Sequence, residues 1–256
     1  MTRFVPHDID YKFLRKIDTA LSRLIYASAL TSVITLIFDL TNLLPEYNAF
    51  FQITLNSINS IFAIFYFLLD MGFNYFFQAS EAVRRKDFID NSLGTKLSEQ
   101  NSKGYYSNEL NPAGIIKMGL NCFENSLFSK TNSGMMLKKS VVQTLIVIGL
   151  FLCIALFTNN KTLSTVLQLA LPLTIIQQTI KLYFFNKKME IVYEDFHIIF
   201  SATNDANQQN LIIRNVINYE TTLSWGSILL DEDNFNKINP SLSKRWEETK
   251  SRLNLH

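Results

Sequence analysis

Four long apolar windows constrain this chain more than any other feature of its sequence. They cover residues 24–44, 50–77, 141–158 and 163–185 and contain few charged residues, whereas the rest of the chain is ordinary polar sequence. A helix rises about 1.5 Å per residue, so about 20 apolar residues cross a hydrocarbon core roughly 30 Å thick. The windows therefore predict an all-α membrane protein with four transmembrane helices and helical cytoplasmic extensions. For any one window the alternative is a buried core helix of a soluble protein.

The basic residues beside these windows predict the orientation of the chain. Lys and Arg are enriched on the cytoplasmic side of membrane helices. They lie before span one, after span two, before span three and at the end of span four, whereas the two short links carry only Glu46 and Lys161. Both termini are therefore predicted to be cytoplasmic. The predicted order is a cytoplasmic N-terminal segment 1–23, a transmembrane hairpin 24–78, a cytoplasmic helical region 79–140, a second hairpin 141–185 and a cytoplasmic helical tail 186–256.

Helix signals continue into both cytoplasmic regions. Residues 78–89 contain neither Gly nor Pro, so we expect them to extend span two until the stop residues around Gly94. A separate helix is expected at 113–128. In the tail, we expect span four to continue to about residue 200, followed by an amphipathic helix over 211–230 and a short helix after Pro240.

A polar stripe runs along span two. Gln52, Asn56 and Asn59 recur at helical spacing, and the same rows lead to Asp70. Such groups cannot face lipid without hydrogen-bond partners, so they either bond to other helices or line a pore built from several subunits. The predicted pore-lining residues of spans two and four are Gln52, Asn56, Asn59, Ser60, Asp70, Gln177 and Gln178. One set of four spans is too small to enclose a wide pore, so this alternative implies a homo-oligomer, with a tetramer as the expected size.

Basic residues also gather beside the membrane in the central region. Residues 79–140 hold nine basic and six acidic residues, whereas the chain from residue 190 onward holds six basic and ten acidic ones. Membrane topology alone explains this bias. The functional alternative is an anionic nucleotide or short oligonucleotide bound by Arg84, Arg85, Lys86 and Lys103.

Signatures of catalysis are missing from the sequence. The three histidines are scattered, and no zinc, nucleophile-elbow or phosphate-loop motif occurs. The sequence therefore predicts that the protein is not an enzyme and needs no cofactor, catalytic residue or metal. Asp87, Asp90 and Asn91 are close enough in sequence to hold Mg²⁺, but a turn at a helix end explains them more simply.

One local motif resembles a known family. The segment SEAVRRKDFIDNSLGT at 80–95 and GYYSN at 104–108 lie between two pairs of spans. This arrangement resembles the four-transmembrane effectors found beside nucleotidyltransferases in bacterial antiphage defence, including those of the Hailong type. The resemblance implies a multi-pass effector of the bacterial inner membrane that forms an oligomeric ion pore, with chloride as a candidate ion. Pore opening would depolarise the membrane and abort the infection, under control of a nucleotide or oligonucleotide from the partner nucleotidyltransferase.

Two functions from different classes follow from the sequence. A ligand-gated channel should depolarise membranes, and leucine at Asn56 or Asn59 should abolish conduction without preventing insertion. A non-conducting membrane receptor or scaffold should pass no ions in any ligand state and should bind a protein partner through its cytoplasmic region.

Overall fold

The chain folds into long helices. The computed structural model describes residues 4–41, 46–108, 111–157, 162–202 and 207–255. Within these ranges the secondary structure is helical, apart from an isolated backbone bridge between Phe4 and Lys103. The helices are α1 (Asp8–Thr41), α2 (Asn48–Leu93), α3 (Ile115–Phe157), α4 (Thr162–Ser201), α5 (Gln208–Gly226) and α6 (Glu232–Leu253). The predicted all-α class is therefore confirmed over the described ranges.

Two of the predicted helix extensions are confirmed. Helix α2 continues without interruption through 78–89 and ends at Leu93. Gly94 then adopts a left-handed conformation with φ of 72°, and its N–H donates to the Asp90 carbonyl at 2.9 Å. Glycine is the residue that reaches this conformation at least cost, so Gly94 ends α2. Helix α4 likewise runs on to Ser201.

Two helix predictions are wrong at their boundaries. The segment 113–128 is not a separate helix, because α3 continues from Ile115 to Phe157 and no proline interrupts it. Helix α6 begins before Pro240 rather than after it. The Asp231 carboxylate accepts a hydrogen bond from the Asn234 N–H at 2.8 Å and so caps the helix start.

The helices form two compact units. Unit 1 comprises Met1–Lys12, Phe76–Lys138 and Lys181–His256, and unit 2 comprises Phe13–Tyr75 and Lys139–Ile180. Each of α1 to α4 contributes residues to both units, whereas α5 and α6 belong to unit 1 alone.

Unit 1 packs around Phe123 of α3, which is fully buried. Its ring centroid lies 5.1 Å from that of Tyr193 and 5.8 Å from that of Phe200, both on α4. The Trp246 ring of α6 meets Phe123 edge-on at 5.2 Å, and Ile212 of α5 is fully buried in the same core. Aromatic contacts thus join the helices of unit 1 around one centre.

Unit 2 is tied together by polar side chains between its helices. Thr144 and Thr179 join α3 to α4 with their hydroxyl oxygens 2.7 Å apart. The other interhelical pairs are Thr31 with Asn59, Tyr66 with Gln178, and Tyr26 with Gln143. Each of the four helices therefore shares a side-chain hydrogen bond with two others.

The surface of unit 2 is strongly apolar. Among the described residues, α2 alone is long and apolar enough to cross a membrane. Its most apolar stretch has a mean hydropathy of 1.5, and only 11% of that stretch is buried. One such helix does not establish a four-span protein, so the four-span arrangement stays a prediction. The predicted ends of spans one and three, Leu44 and Thr158, lie outside the described residues.

Candidate functional site

The resemblance motif folds into a charged cluster within unit 1. Glu81, Arg84 and Arg85 lie three and four residues apart on α2, which places them on one helical face. Glu220 of α5 lies opposite them. We call these four residues the α2–α5 cluster.

Arg84 is at the centre of the α2–α5 cluster. Its Nε donates to Glu81 Oε2 at 3.0 Å and its Nη2 donates to Glu220 Oε2 at 2.5 Å. The Arg84 side chain is only 11% exposed, and that of Glu81 only 3%. Burial opposes the charge on the guanidinium, but the carboxylates of Glu81 and Glu220 outweigh it and raise the pKa of Arg84 above its usual value. The ion pairs thus keep Arg84 charged inside unit 1.

The N-terminal segment is attached to the same cluster. Tyr11 of α1 donates its hydroxyl to Glu81 Oε1. Burial and the neighbouring Glu81 carboxylate both raise the pKa of Tyr11, which keeps the phenol protonated. The backbone of Phe4 pairs with that of Lys103 through hydrogen bonds of 3.0 and 2.9 Å. The first described residues of the chain therefore lie against α2 and the loop that follows it.

The four predicted ligand-binding residues differ in their surroundings. Arg84 is enclosed by carboxylates, and Arg85 donates to Ser224 Oγ at 2.6 Å and lies 3.4 Å from Glu220. Lys86 and Lys103 are exposed. The two arginines therefore make internal contacts, whereas the two lysines present their ammonium groups at the surface.

Asp90 organises the loop after α2. Its carboxylate accepts hydrogen bonds from Thr95 Oγ1 at 2.6 Å and from the backbone N–H groups of Leu97 and Ser98, each at 2.7 Å. Burial alone would raise the pKa of Asp90, but these hydrogen bonds lower it to about 2. This geometry favours the helix-end turn over the Mg²⁺ alternative. Within the described ranges, no three His, Cys, Asp or Glu side chains gather as a metal site.

A second polar group involves the GYYSN loop. Glu124 of α3 accepts hydrogen bonds from Ser107 Oγ at 2.8 Å and from Asn108 Nδ2 at 3.1 Å. The indole of Trp246 donates to Ser107 Oγ at 2.8 Å. Desolvation raises the pKa of Glu124 to about 7, although the Ser107 hydrogen bond and Lys250 act against it. Glu124 is therefore a carboxyl group that changes charge near neutral pH.

Asn59, from the predicted pore stripe, points into unit 2. It is 2% exposed, accepts a hydrogen bond from Thr31 of α1, and lies 3.4 Å from Ser32 of the same helix. Asn59 therefore bonds to another helix of the same chain, as the interhelical alternative expects.

The other predicted pore residues have mixed environments. Gln52 donates to Asn48 at 2.9 Å and Ser60 to the Asn56 carbonyl at 2.9 Å, both along α2. Asp70 accepts from Asn74 at 3.2 Å. On α4, Gln178 donates to Tyr66 at 2.9 Å while remaining exposed. Gln177 is also exposed.

Sequence reasoning missed the polar stripe on α1. Ser28, Ser32 and Thr35 are each at most 2% exposed and repeat at helical spacing with Thr31. That spacing was a readable signal for a buried polar face. Glu220 was also missed, and no local pattern pointed to it because its partner Arg84 lies far away in the sequence.

The comparisons with known proteins assign this chain to no family. No protein-family model, curated protein or solved structure matches this chain. The resemblance to Hailong-type effectors therefore stays a prediction.

Proposed function

We propose that this chain is a four-span membrane protein whose copies assemble into a regulated ion-conducting pore. The observation that carries the membrane part is the exposure of apolar side chains on unit 2. On the α2 segment of this unit, large apolar side chains lie at the surface with at least half of their area exposed. Among them are Ile61, Ile64, Phe65, Phe67 and Leu68. Soluble monomers rarely expose so large an apolar surface, whereas a bilayer covers it.

The pore part depends on polar groups at the surface of unit 2. Gln177 is exposed on α4, and Leu173 and Ile180, each about one turn away, are 39% and 51% exposed. A carboxamide in that position is costly against lipid but is satisfied in a water-filled path between subunits. Gln177 is therefore the predicted lining residue that best fits the pore.

Regulation is proposed to come from unit 1. By the resemblance, the signal is a nucleotide or oligonucleotide made by a partner nucleotidyltransferase during phage infection, and pore opening depolarises the bacterial inner membrane. In this arrangement the exposed ammonium groups of Lys86 and Lys103 would meet the phosphates. Arg84 and Arg85 would instead hold the surrounding helices in place.

An ion-flux assay tests the pore. The purified full chain is reconstituted into liposomes loaded with a chloride-sensitive dye, with and without added cyclic dinucleotides or short oligoadenylates. We expect ion flux in one of these states. We expect Gln177→Leu to reduce this flux at least tenfold, which corresponds to about 1.4 kcal/mol less stabilisation of the permeating ion. Ile180→Leu is the matched control on the same helix and should conduct normally. A wild-type chain that inserts but passes no ions in any state would contradict the pore.

The second candidate is a non-conducting receptor or scaffold. It is favoured by Asn59, Tyr66 and Thr179, whose polar groups bond within one copy of unit 2 and need no water-filled path. It predicts no flux in the same assay and a protein partner retained by unit 1.

A further inference from the structure

Trp225 lies near the end of α5 with its indole at the surface. It is 45% exposed, whereas the second tryptophan of the chain, Trp246, is 1% exposed. The Lys188 ammonium of α4 lies 4.7 Å from the centroid of the Trp225 ring. The surrounding segment 221–227 contains no charged residue. The end of α5 therefore presents an exposed indole among uncharged residues, with the Lys188 ammonium beside it.

Helix α4 adds aromatic and basic side chains to the same surface. Tyr183 and Phe184 are 46% and 51% exposed, and their ring centroids are 5.5 Å apart. Phe184 lies one helical turn before Lys188 on the same face. Lys187 is paired with Glu190 at 2.7 Å, whereas the Lys188 ammonium lies over the Trp225 ring. We call Tyr183, Phe184, Lys187, Lys188 and Trp225 the aromatic–lysine surface.

The position of Trp225 is fixed by close packing beneath it. A Cβ atom on Gly226 would lie 2.5 Å from the Phe185 ring, which is fully buried, so α5 approaches α4 as closely as a glycine allows. On the other side, Gln78 of α2 donates to the Ser224 carbonyl at 3.2 Å. Trp225 thus lies on a platform where three helices of unit 1 contact one another.

The chain continues from this platform into unit 2. Unit 1 begins on α2 at Phe76 and on α4 at Lys181, so Tyr183 and Phe184 follow directly after the change of unit. Tyr and Trp rings beside Lys side chains are typical of the membrane–water interface, where the ring is half buried and the ammonium reaches the headgroups.

We propose that the aromatic–lysine surface rests on the anionic headgroups of the bilayer and that Trp225 anchors α5 there. The inference depends on the proposed function, because it takes α2 and α4 to enter the bilayer at this point. The occupant is a lipid surface rather than a soluble anion, since the surface presents exposed aromatic rings beside the Lys188 ammonium.

The anchor has a consequence for the α2–α5 cluster. Helix α5 also carries Glu220 and Ser224, which bind Arg84 and Arg85. Lipid contact at Trp225 therefore holds the acidic partner of the cluster in place, and α5 links the membrane surface to the ion pairs of unit 1.

Tryptophan fluorescence tests the anchor without disturbing the core. The full chain is reconstituted into phosphatidylcholine vesicles with and without phosphatidylglycerol, and the spectrum of Trp225→Phe is subtracted from that of the wild type. The difference reports Trp225 alone. We expect blue-shifted emission that lipids brominated near the headgroup quench and that aqueous acrylamide quenches weakly. In the phosphatidylglycerol vesicles, Lys188→Ala should lower the ratio of lipid-bound to free Trp225 about fivefold. Lys244→Ala, an exposed lysine of α6, should not change it.

The outcomes separate the anchor from the proposed function. If the chain floats with vesicles but acrylamide quenches Trp225 as fully as in detergent, the anchor is wrong and the membrane proposal stands. If neither quencher reaches Trp225, a second copy covers it, and the lipid anchor is also overturned. If the chain does not float with vesicles, the proposed function fails, and the anchor fails with it.

Discussion

Arg84 is the residue on which three segments of unit 1 converge. It binds Glu81 on its own helix and Glu220 on α5, and Glu81 in turn accepts the hydroxyl of Tyr11 from α1. Its charge is compensated on two sides while the side chain stays largely buried. Removing it would leave the buried Glu81 carboxylate without a cation and Glu220 with Arg85 alone.

We expect Arg84→Met to destabilise unit 1 strongly. Breaking a buried ion pair from one side typically costs about 3–5 kcal/mol, because the partner charges remain unpaired. Lys86→Met is the matched control, since Lys86 is exposed two residues further along α2 and should change stability by at most about 0.5 kcal/mol. Thermal unfolding of both variants in detergent measures the difference. Equal melting temperatures would show that Arg84 does not support the fold.

Glu124 should make the stability of unit 1 depend on pH. Its pKa rises from an ordinary value of 4.5 to about 7 in the folded chain, so the folded state binds more protons between these values. The free energy of unfolding should therefore fall as pH rises from about 4.5 to 7, by at most about 3 kcal/mol. Above this range the contribution is lost.

Glu124→Gln isolates that contribution. The amide keeps hydrogen-bonding atoms near Ser107 and Asn108 but does not titrate. Denaturant unfolding of wild type and variant at several pH values gives a difference in which the other titrating groups cancel. We expect the wild type to lose stability relative to the variant between pH 5 and 7 (a window of about two units). If the free energies of unfolding of wild type and variant changed in parallel with pH, the raised pKa of Glu124 would be contradicted.

At the scale of elements, Gly119 permits the contact between α3 and α5. A Cβ atom there would lie 2.7 Å from Ile212 and 3.0 Å from Phe200, and both side chains are buried in the unit 1 core. Gly119→Ala should therefore destabilise the chain by about 1–3 kcal/mol through overpacking. Gly72→Ala is the control, because nothing lies within 4 Å of its Cβ position on α2. That change should be neutral or stabilise by up to about 1 kcal/mol through helix propensity. Similar melting temperatures for both variants would count against the close approach of α5.

Helix lengths were predictable where local chemistry decides them. The absence of Gly and Pro over 78–89 and the glycine at position 94 gave both the continuity and the end of α2. The predicted start of α6 after Pro240 is wrong because the Asp231 side chain caps the helix earlier in the chain. The sequence contained both signals, and the capping residue determined the boundary.

The candidate site was less predictable because its contacts are distant in sequence. The spacing of Glu81, Arg84 and Arg85 showed that they share a face, but not that Glu220 lies opposite. The polar stripe of α2 is expected to need hydrogen-bond partners. Which partners it has depends on helix packing, and for Asn59 they are on α1.

At the scale of the whole molecule, the two units differ in what covers their apolar side chains. Unit 1 buries a large cluster of aromatic and aliphatic side chains in a core to which α2 to α6 contribute, although Tyr183, Phe184 and Trp225 remain exposed. Unit 2 instead exposes apolar side chains on α2, α3 and α4 and places polar hydrogen bonds between its helices. An apolar surface with polar hydrogen bonds between the helices is expected when the surroundings are lipid rather than water.

Site-directed labelling tests the membrane placement most directly. Single cysteines are introduced as Tyr47→Cys, between α1 and α2, and as Lys244→Cys on α6, in a chain whose own Cys122 and Cys153 are replaced by alanine. Both target side chains are exposed, at 57% and 82%. In intact cells, a membrane-impermeant maleimide should label Tyr47→Cys but label Lys244→Cys only after lysis. Labelling of both positions only after lysis, with the chain in the soluble fraction, would contradict the account.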